Sequence, residues 1–279
     1  MRLHGVGRRY GARAPWVLRG VELSVAGATL VRVAGANGSG KTTLLRVLAG
    51  LDAPSAGRVS GRPRTAYVPE RFSGELPFTA EGYLVHIGRI HGLRGRVAKA
   101  RAGEWLERFG AGGHARTPMS ELSKGTCQKV AVAQALMGEP ELLVLDEAWT
   151  GLDQAAREEL DRAVGERVAG GGTVVFVDHD PRRLAGVADV AYRVAGGAVS
   201  PAAAGGGSAV VIEAAGQPGA ALPGGLPDGC AAEATPGGAV RLTVPEAEVN
   251  AALRVLLDAR PPWRIRSVNP DDPAPGGPR

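Results

Sequence analysis

Aromatic residues are scarce: four Phe, four Trp and four Tyr make up 4% of 279 residues. With 44% hydrophobic residues, a sizeable core is still affordable, but it must be built mainly from Ala, Val and Leu. Cysteine is nearly absent. Cys127 and Cys230 show no metal-type spacing, which argues against a disulfide framework and for a reducing compartment. No apolar run approaches the length of a membrane span. The stretch MRLHGVGRRYG lacks the apolar centre of a signal peptide, so a cytoplasmic chain is expected, with any pore supplied by another polypeptide. The net charge is +5 and the pI about 9.6, yet there is no dense Lys/Arg run and no interleaving of aromatic and basic residues. Nucleic acid is therefore not an expected partner; the basic excess suits an inner membrane surface, an acidic partner or an anionic nucleotide.

Glycine, in contrast, is abundant, and one glycine-rich stretch organises the chain. GANGSGKTT, Gly35 to Thr43, fits the phosphate-loop pattern G-x-x-x-x-G-K-S/T without a gap. A short strand (TLVRVA, 29–34) precedes it, and a helix beginning TTLLRVLAGL follows, with Leu44, Leu45, Val47, Leu48 and Leu51 on one side. Gly35, Gly38 and Gly40, with Asn37 and Ser39 between them, let the backbone turn tightly and aim its N–H groups at phosphates. The helix N-terminus adds positive dipole. Lys41 is placed to reach the β- and γ-phosphates, Thr42 to ligate Mg²⁺, and Thr43 lies beside them. Upstream, Tyr10 is either a half-buried aromatic at a strand end or a ring on which a base stacks.

Further on, strands are expected at 2–6, 21–25, and within RVSG and RTAYVPE, and helices at 76–93 (Thr79 as cap) and 97–109. These helices interrupt the strand pattern, so residues from about 71 to 135 read as a helical subdomain set into an α/β core. Ser123 is a cap for a helix ending at Gly138. ELLVL (141–145) is a buried strand that ends in Asp146 and Glu147, and TVVFVD (173–178) is another with His179 at its end. A strand ending in Asp-Glu downstream of a phosphate loop is the second half of a nucleotide hydrolase. Asp146 can hold Mg²⁺ through water, and Glu147 can orient and deprotonate an attacking water.

Six short motifs in order resemble the ATP-binding cassette ATPases that drive transporters, over roughly residues 1 to 195. Tyr10 sits where the family has its adenine-stacking aromatic, GANGSGKTT where it has its phosphate loop, and YVPE (67–70) where a loop normally ends in Gln. LSKGT (122–126) stands at the signature LSGGQ, LLVLDE and TGLD (150–153) follow, and VDH places His179 as the switch histidine. The resemblance implies ATP and Mg²⁺ as ligands and a homodimer or pseudo-dimer of cassettes. In such a dimer Ser123 and Gly125 of one chain close on the γ-phosphate held by the other. It also implies a membrane permease on a separate chain, and a position at the inner face of the cell membrane. Two departures stand out. Glu70 replaces Gln as a ligand of Mg²⁺ or its water, a substitution found in export-type members. Lys124 and Thr126 replace Gly and Gln but leave Ser123 and Gly125.

After this cassette, residues 1–198, the composition changes. Residues 199–208 read as a linker, 209–268 as a small module of strand, strand, helix and strand, and 269–279 as a disordered tail. The expected function is an ATPase subunit of an exporter, with Glu147 as general base and Lys41 and His179 as its catalytic companions. The alternatives are a permease-free ATPase of the same family and a nucleotide-gated binding module with little hydrolysis.

Overall fold

Leucine and valine at alternating positions, not aromatic packing, hold the larger part of the molecule together. The computed structural model describes residues 1–180, 182–184, 186–202, 209–216, 222–227, 230–235, 239–245 and 248–270. These fall into two units, Met1–His179 with Gly186–Ala204, and Asp180–Ala185 with Gly205–Arg279.

The first unit contains two sheets. Strands β1 (Arg2–Arg8), β2 (Leu18–Ser24) and β4 (Ala56–Ser60) form an antiparallel sheet in the order β2-β1-β4. The second sheet runs β5-β6-β7-β3-β8-β9: β5 (Thr65–Val68), β6 (Leu142–Asp146), β7 (Thr173–Val177), β3 (Leu30–Ala34), β8 (Val190–Ala195) and β9 (Ala198–Ala202). All pairings in it are parallel except β8 with β9. Every residue of β6 and β7 is buried, as the continuous apolar runs LLVL and TVVFV require of strands covered on both faces. Helix α1 (Lys41–Leu48) lays Leu44, Leu45, Val47 and Leu48 into a core shared with Leu3, Val6, Leu18 and Val21 of the antiparallel sheet. The buried members of that core are all leucine and valine. Burying each such side chain contributes about 2 kcal/mol.

Between β5 and β6 the chain forms α2 (Ala80–Ile90), α3 (Gly95–Arg108) and α4 (Lys124–Met137), and between β6 and β7 it forms α5 (Gln154–Ala169). Helix α2 begins at Ala80, directly after the expected cap: Thr79 is extended and its hydroxyl accepts the Gly82 N–H at 3.1 Å. Arg108 of α3 reaches α5, donating to Glu159 at 2.6 Å and to Glu166 at 2.8 Å.

One expectation is corrected here. The start of the stretch read as a linker, 199–202, is strand, part of β9 paired antiparallel with β8. Gly196 and Gly197, at φ 57° and 81°, make the two-residue turn of a β-hairpin, and Gly197 O accepts the Arg19 N–H at 2.8 Å. Residues 203–208 lie outside the described residues.

In the second unit, β10 (Ala209–Ala215), β11 (Ala231–Thr235), β12 (Ala239–Pro245) and β13 (Arg264–Pro270) form an antiparallel sheet ordered β11-β12-β10-β13, with α6 (Val249–Asp258) before β13. Ile212, Leu242, Val244, Ala252, Leu256 and Trp263 form its own core. Strand β11 had no counterpart in the sequence pattern. AAEAT carries little β-propensity and is strand because it pairs with β12 from Ala231↔Thr243 to Thr235↔Ala239. Of the tail expected to be disordered, Asn269 and Pro270 complete β13, and 271–279 lie outside the described residues.

Candidate nucleotide site

Strand register decides which loops meet. Arg32 of β3 lies opposite Phe176 of β7, and Asp146 of β6 lies opposite Val177. The chain therefore leaves three adjacent parallel strands at Gly35, Glu147 and Asp178 on one edge of the sheet, with His179 next along the chain. That carboxyl edge is where open α/β sheets bind ligands.

The loop from Gly35 to Gly40 is shaped by glycine at two tight points. A Cβ on Gly35, at φ 152°, would lie 2.4 Å from Val194 O, and one on Gly40, at φ 106°, would lie 3.1 Å from Val17 O. Gly38 sits at φ 76°, with Asn37 exposed beside it at the tip. Lys41 is buried, and its Nζ donates to Gly35 O at 2.9 Å and Ala36 O at 3.1 Å, so the ammonium is held within the curve of the loop. Ser39 Oγ is buried with no hydrogen-bond partner among the described residues. A cradle too tight for side chains, a cation inside it and an orphaned hydroxyl together suit a phosphate chain.

Thr42 and Asp146 meet across the sheet, the hydroxyl donating to Oδ1 at 3.2 Å, while Tyr67 of β5 donates to Oδ2 at 2.9 Å. Burial raises the Asp146 pKa; the Tyr67 and Thr42 hydrogen bonds pull it back, and the Glu70 charge adds to the rise. Burial beside the Asp146 charge likewise pushes the Tyr67 phenol upward. Among the described residues no three His, Cys, Asp or Glu side chains form a metal cage. One hydroxyl and one carboxylate fit Mg²⁺, which keeps waters and takes phosphate oxygens as its other ligands.

Glu147 follows Asp146 at φ 53°, with its N–H donating to Val177 O at 3.0 Å and its own carbonyl accepting from Thr150 at 3.0 Å. That turn places Glu147 Oε1 2.8 Å from His179 Nε2. Burial raises the Glu147 pKa, His179 opposes this, and the charges of Glu70 and Asp146 reinforce it. Glu70 itself is half-exposed and lies 3.5 Å from Arg71; it reaches the centre through its field.

Tyr10 is not a half-buried strand residue. It lies just past β1 and is 55% exposed, with its hydroxyl donating to Asp52 at 2.8 Å and standing 3.3 Å from Thr43 Oγ1. Ser123 caps α4 by accepting the Thr126 N–H at 3.1 Å. Gly125 allows that first turn to approach the 150–153 loop: a Cβ there would lie 2.7 Å from Gly151 O. On the same helix, Gln128 donates to Pro69 O at 2.9 Å and Ala148 O at 3.4 Å, and Lys129 lies 2.6 Å from Asp153, the cap of α5.

Lys41, Thr42, Asp146, Glu147 and His179 thus come together, while Ser123 and Gly125 stand in the first turn of α4, where Gly125 approaches Gly151. Tyr67 and Asp52 were not among the residues singled out in the sequence. Tyr67 lies inside YVPE, but its role emerges only once β5 pairs with β6 at Tyr67↔Val144 and its phenol reaches Asp146 two residues on. Asp52, in a turn, gave no signal.

Comparisons with known proteins bear on the family. Residues 18–150 match the family model described as ABC transporter. The zinc import ATP-binding protein ZnuC of Cereibacter sphaeroides is 43% identical over 169 residues, 59% of this chain and 67% of that one. The daunorubicin resistance ATP-binding protein DrrA3 of Streptomyces coeruleorubidus is 41% identical over 184 residues, 62% of this chain and 58% of that one. A solved ATP-binding subunit of an ABC transporter superposes with a TM-score of 0.65 at 26% identity, over 72% of this chain and 88% of that one. By sequence and fold the chain belongs to the ABC transporter family, as one of its ATP-binding, ATP-hydrolysing cassettes.

Proposed function

We propose that this chain hydrolyses ATP in a site completed by a second cassette, and that the resulting closing and opening drives a membrane permease carried on a separate chain. The observation that carries the proposal is the Glu147–His179 pair, 2.8 Å apart, next to the Thr42–Asp146 contact and the Lys41 loop. Lys41 and the loop N–H groups neutralise and orient the triphosphate. Thr42 and Asp146 would hold Mg²⁺, with Glu70 near its waters, and the ion would supply charge neutralisation of the triphosphate. Glu147 accepts a proton from a water whose oxygen attacks the γ-phosphorus. The bond to the β–γ bridging oxygen breaks, and ADP and phosphate leave. His179 steadies the Glu147 carboxylate and stands where the γ-phosphate charge develops. Tyr10 stacks on adenine. Ser123 and Gly125, at the positive end of α4, face the γ-phosphate of the opposite chain.

Glu147→Gln tests this directly. ATP binding is retained, phosphate release falls at least a thousandfold, and a dimer accumulates on ATP in size-exclusion chromatography; undiminished turnover refutes the role of Glu147.

No helix among the described residues is long and apolar enough to cross a membrane, which suits a chain seated on the cytoplasmic face against its permease. Export is the direction supported by Glu70 and the appended second unit, and by a relative named for daunorubicin resistance; the relative named for zinc import supports uptake. Vesicles holding the chain with its permease decide the matter: outward cargo movement is expected, and ATP-driven uptake overturns the export reading.

A further inference from the structure

The ring proposed to stack on adenine does not stand alone. Tyr10 is more than half exposed, and an exposed side chain ordinarily samples several rotamers. Here its far end is anchored. The hydroxyl donates to Asp52 Oδ2 at 2.8 Å and lies 3.3 Å from Thr43 Oγ1, in the helix that follows the phosphate loop. Asp52 is only 6% exposed and is itself fixed: Arg46 donates to its two oxygens at 3.3 and 3.2 Å, and Arg8 Nε lies 3.7 Å away. The Arg46 hydrogen bond, with smaller help from Tyr10 and Arg8, holds the Asp52 carboxyl below the usual range, so it is an anion throughout neutral pH. Arg8 has a second function. Its guanidinium carbon lies 4.5 Å from the centroid of the Tyr10 ring, a cation–π contact on one face of a ring that stays 55% exposed.

We infer that Asp52 is a positioning residue for nucleotide binding: with Arg8 and Arg46 it locks Tyr10 as a one-faced platform, so that the base meets a ring already in its bound orientation. The inference rests on the proposal that Tyr10 stacks on the base. Its physical content is pre-organisation. Immobilising a free side chain on binding weakens affinity, and a tethered ring avoids that loss, about a three- to tenfold effect on Kd.

The test compares ATP with inorganic triphosphate, which has the phosphates and no base, by isothermal titration calorimetry. Tyr10→Phe removes only the tether and keeps a ring. It is expected to raise the Kd for ATP about three- to tenfold and to leave the Kd for triphosphate within error of the parent. Tyr10→Ala raises the Kd for ATP further. Asp52→Ala, checked for folding by circular dichroism, is expected to match Tyr10→Phe, and the Tyr10→Phe/Asp52→Ala double variant to add nothing, because both remove one contact. If Tyr10→Phe binds ATP as tightly as the parent while Tyr10→Ala does not, the tether is overturned and stacking survives. Equal ATP affinity in Tyr10→Ala overturns stacking itself, and the tether with it. Additive losses in the double variant overturn the assignment of Asp52 to Tyr10. Should Asp52→Ala fail to fold, the two Tyr10 variants decide the question alone.

Discussion

Single side chains at this site work by holding others. Tyr67 never needs to touch nucleotide: its phenol donates to one Asp146 oxygen while Thr42 donates to the other, so the carboxylate cannot swing. Tyr67→Phe is expected to raise the Mg²⁺ concentration for half-maximal ATPase activity about tenfold, the usual cost of losing a group that orients a metal ligand; a Mg²⁺ titration of phosphate release measures it. Asp52 supplies a pH signature. Its folded pKa lies below the unfolded value of 3.8, so its stabilisation is fully present above that value and is lost as the pH falls through the folded one. Asp52→Asn is expected to lose about 2 kcal/mol at neutral pH, and its melting temperature to converge on the parent's as the pH drops below the ordinary aspartate range.

Secondary-structure elements carry the next level of function. Helix α4 is strapped by Gln128 to two carbonyls, one beside Glu70 and one beside Glu147. Gln128→Ala is expected to lower kcat about tenfold, or about 1.4 kcal/mol of positioning, with little change in KM for ATP; steady-state kinetics check it. On the opposite side of α3, Arg108→Ala leaves the buried Glu159 with Arg162 as its remaining ion-pair partner, for a loss of about 2 kcal/mol in thermal unfolding. Most of these elements were legible in the sequence. β6 and β7 announce themselves as apolar runs, Thr79 and Ser123 cap the helices they precede, and the phosphate loop sits between a strand and a helix as its motif demands. What was missed has a common cause. β9 (AVSPA) and β11 (AAEAT) each carry a single β-branched residue among mostly small ones, so their strand character comes from neighbours, and a Gly196-Gly197 turn resembles linker composition until its flanks are seen to pair. The site showed the same division: charged and glycine residues in motifs were readable, whereas Asp52 and Tyr67 are defined only by what folding brings beside them.

At the scale of the whole molecule, the proposed function makes a head-to-tail dimer of cassettes the working unit, since the chain carries one phosphate loop and one signature. Chains disabled by Lys41→Ala and by Ser123→Arg should each be inactive alone and regain up to about a quarter of the parental ATPase rate when mixed, since half the dimers would be mixed and each would hold one intact site. Phosphate release from the mixture, against each variant alone, gives the answer; no recovery rules out the head-to-tail arrangement. Within each chain, the approach of α4 to the 150–153 loop demands a bare backbone at Gly125. With a Cβ at 125 only 2.7 Å from the Gly151 oxygen, even one methyl acts as a shim between the first turn of α4 and the loop leading to Asp153. The displaced helix would pull Gln128 from the carbonyl next to Glu147. A defect on the face offered to a neighbour would then be felt where this chain's own water is activated, and each subunit would sense how well it is docked before committing its fuel.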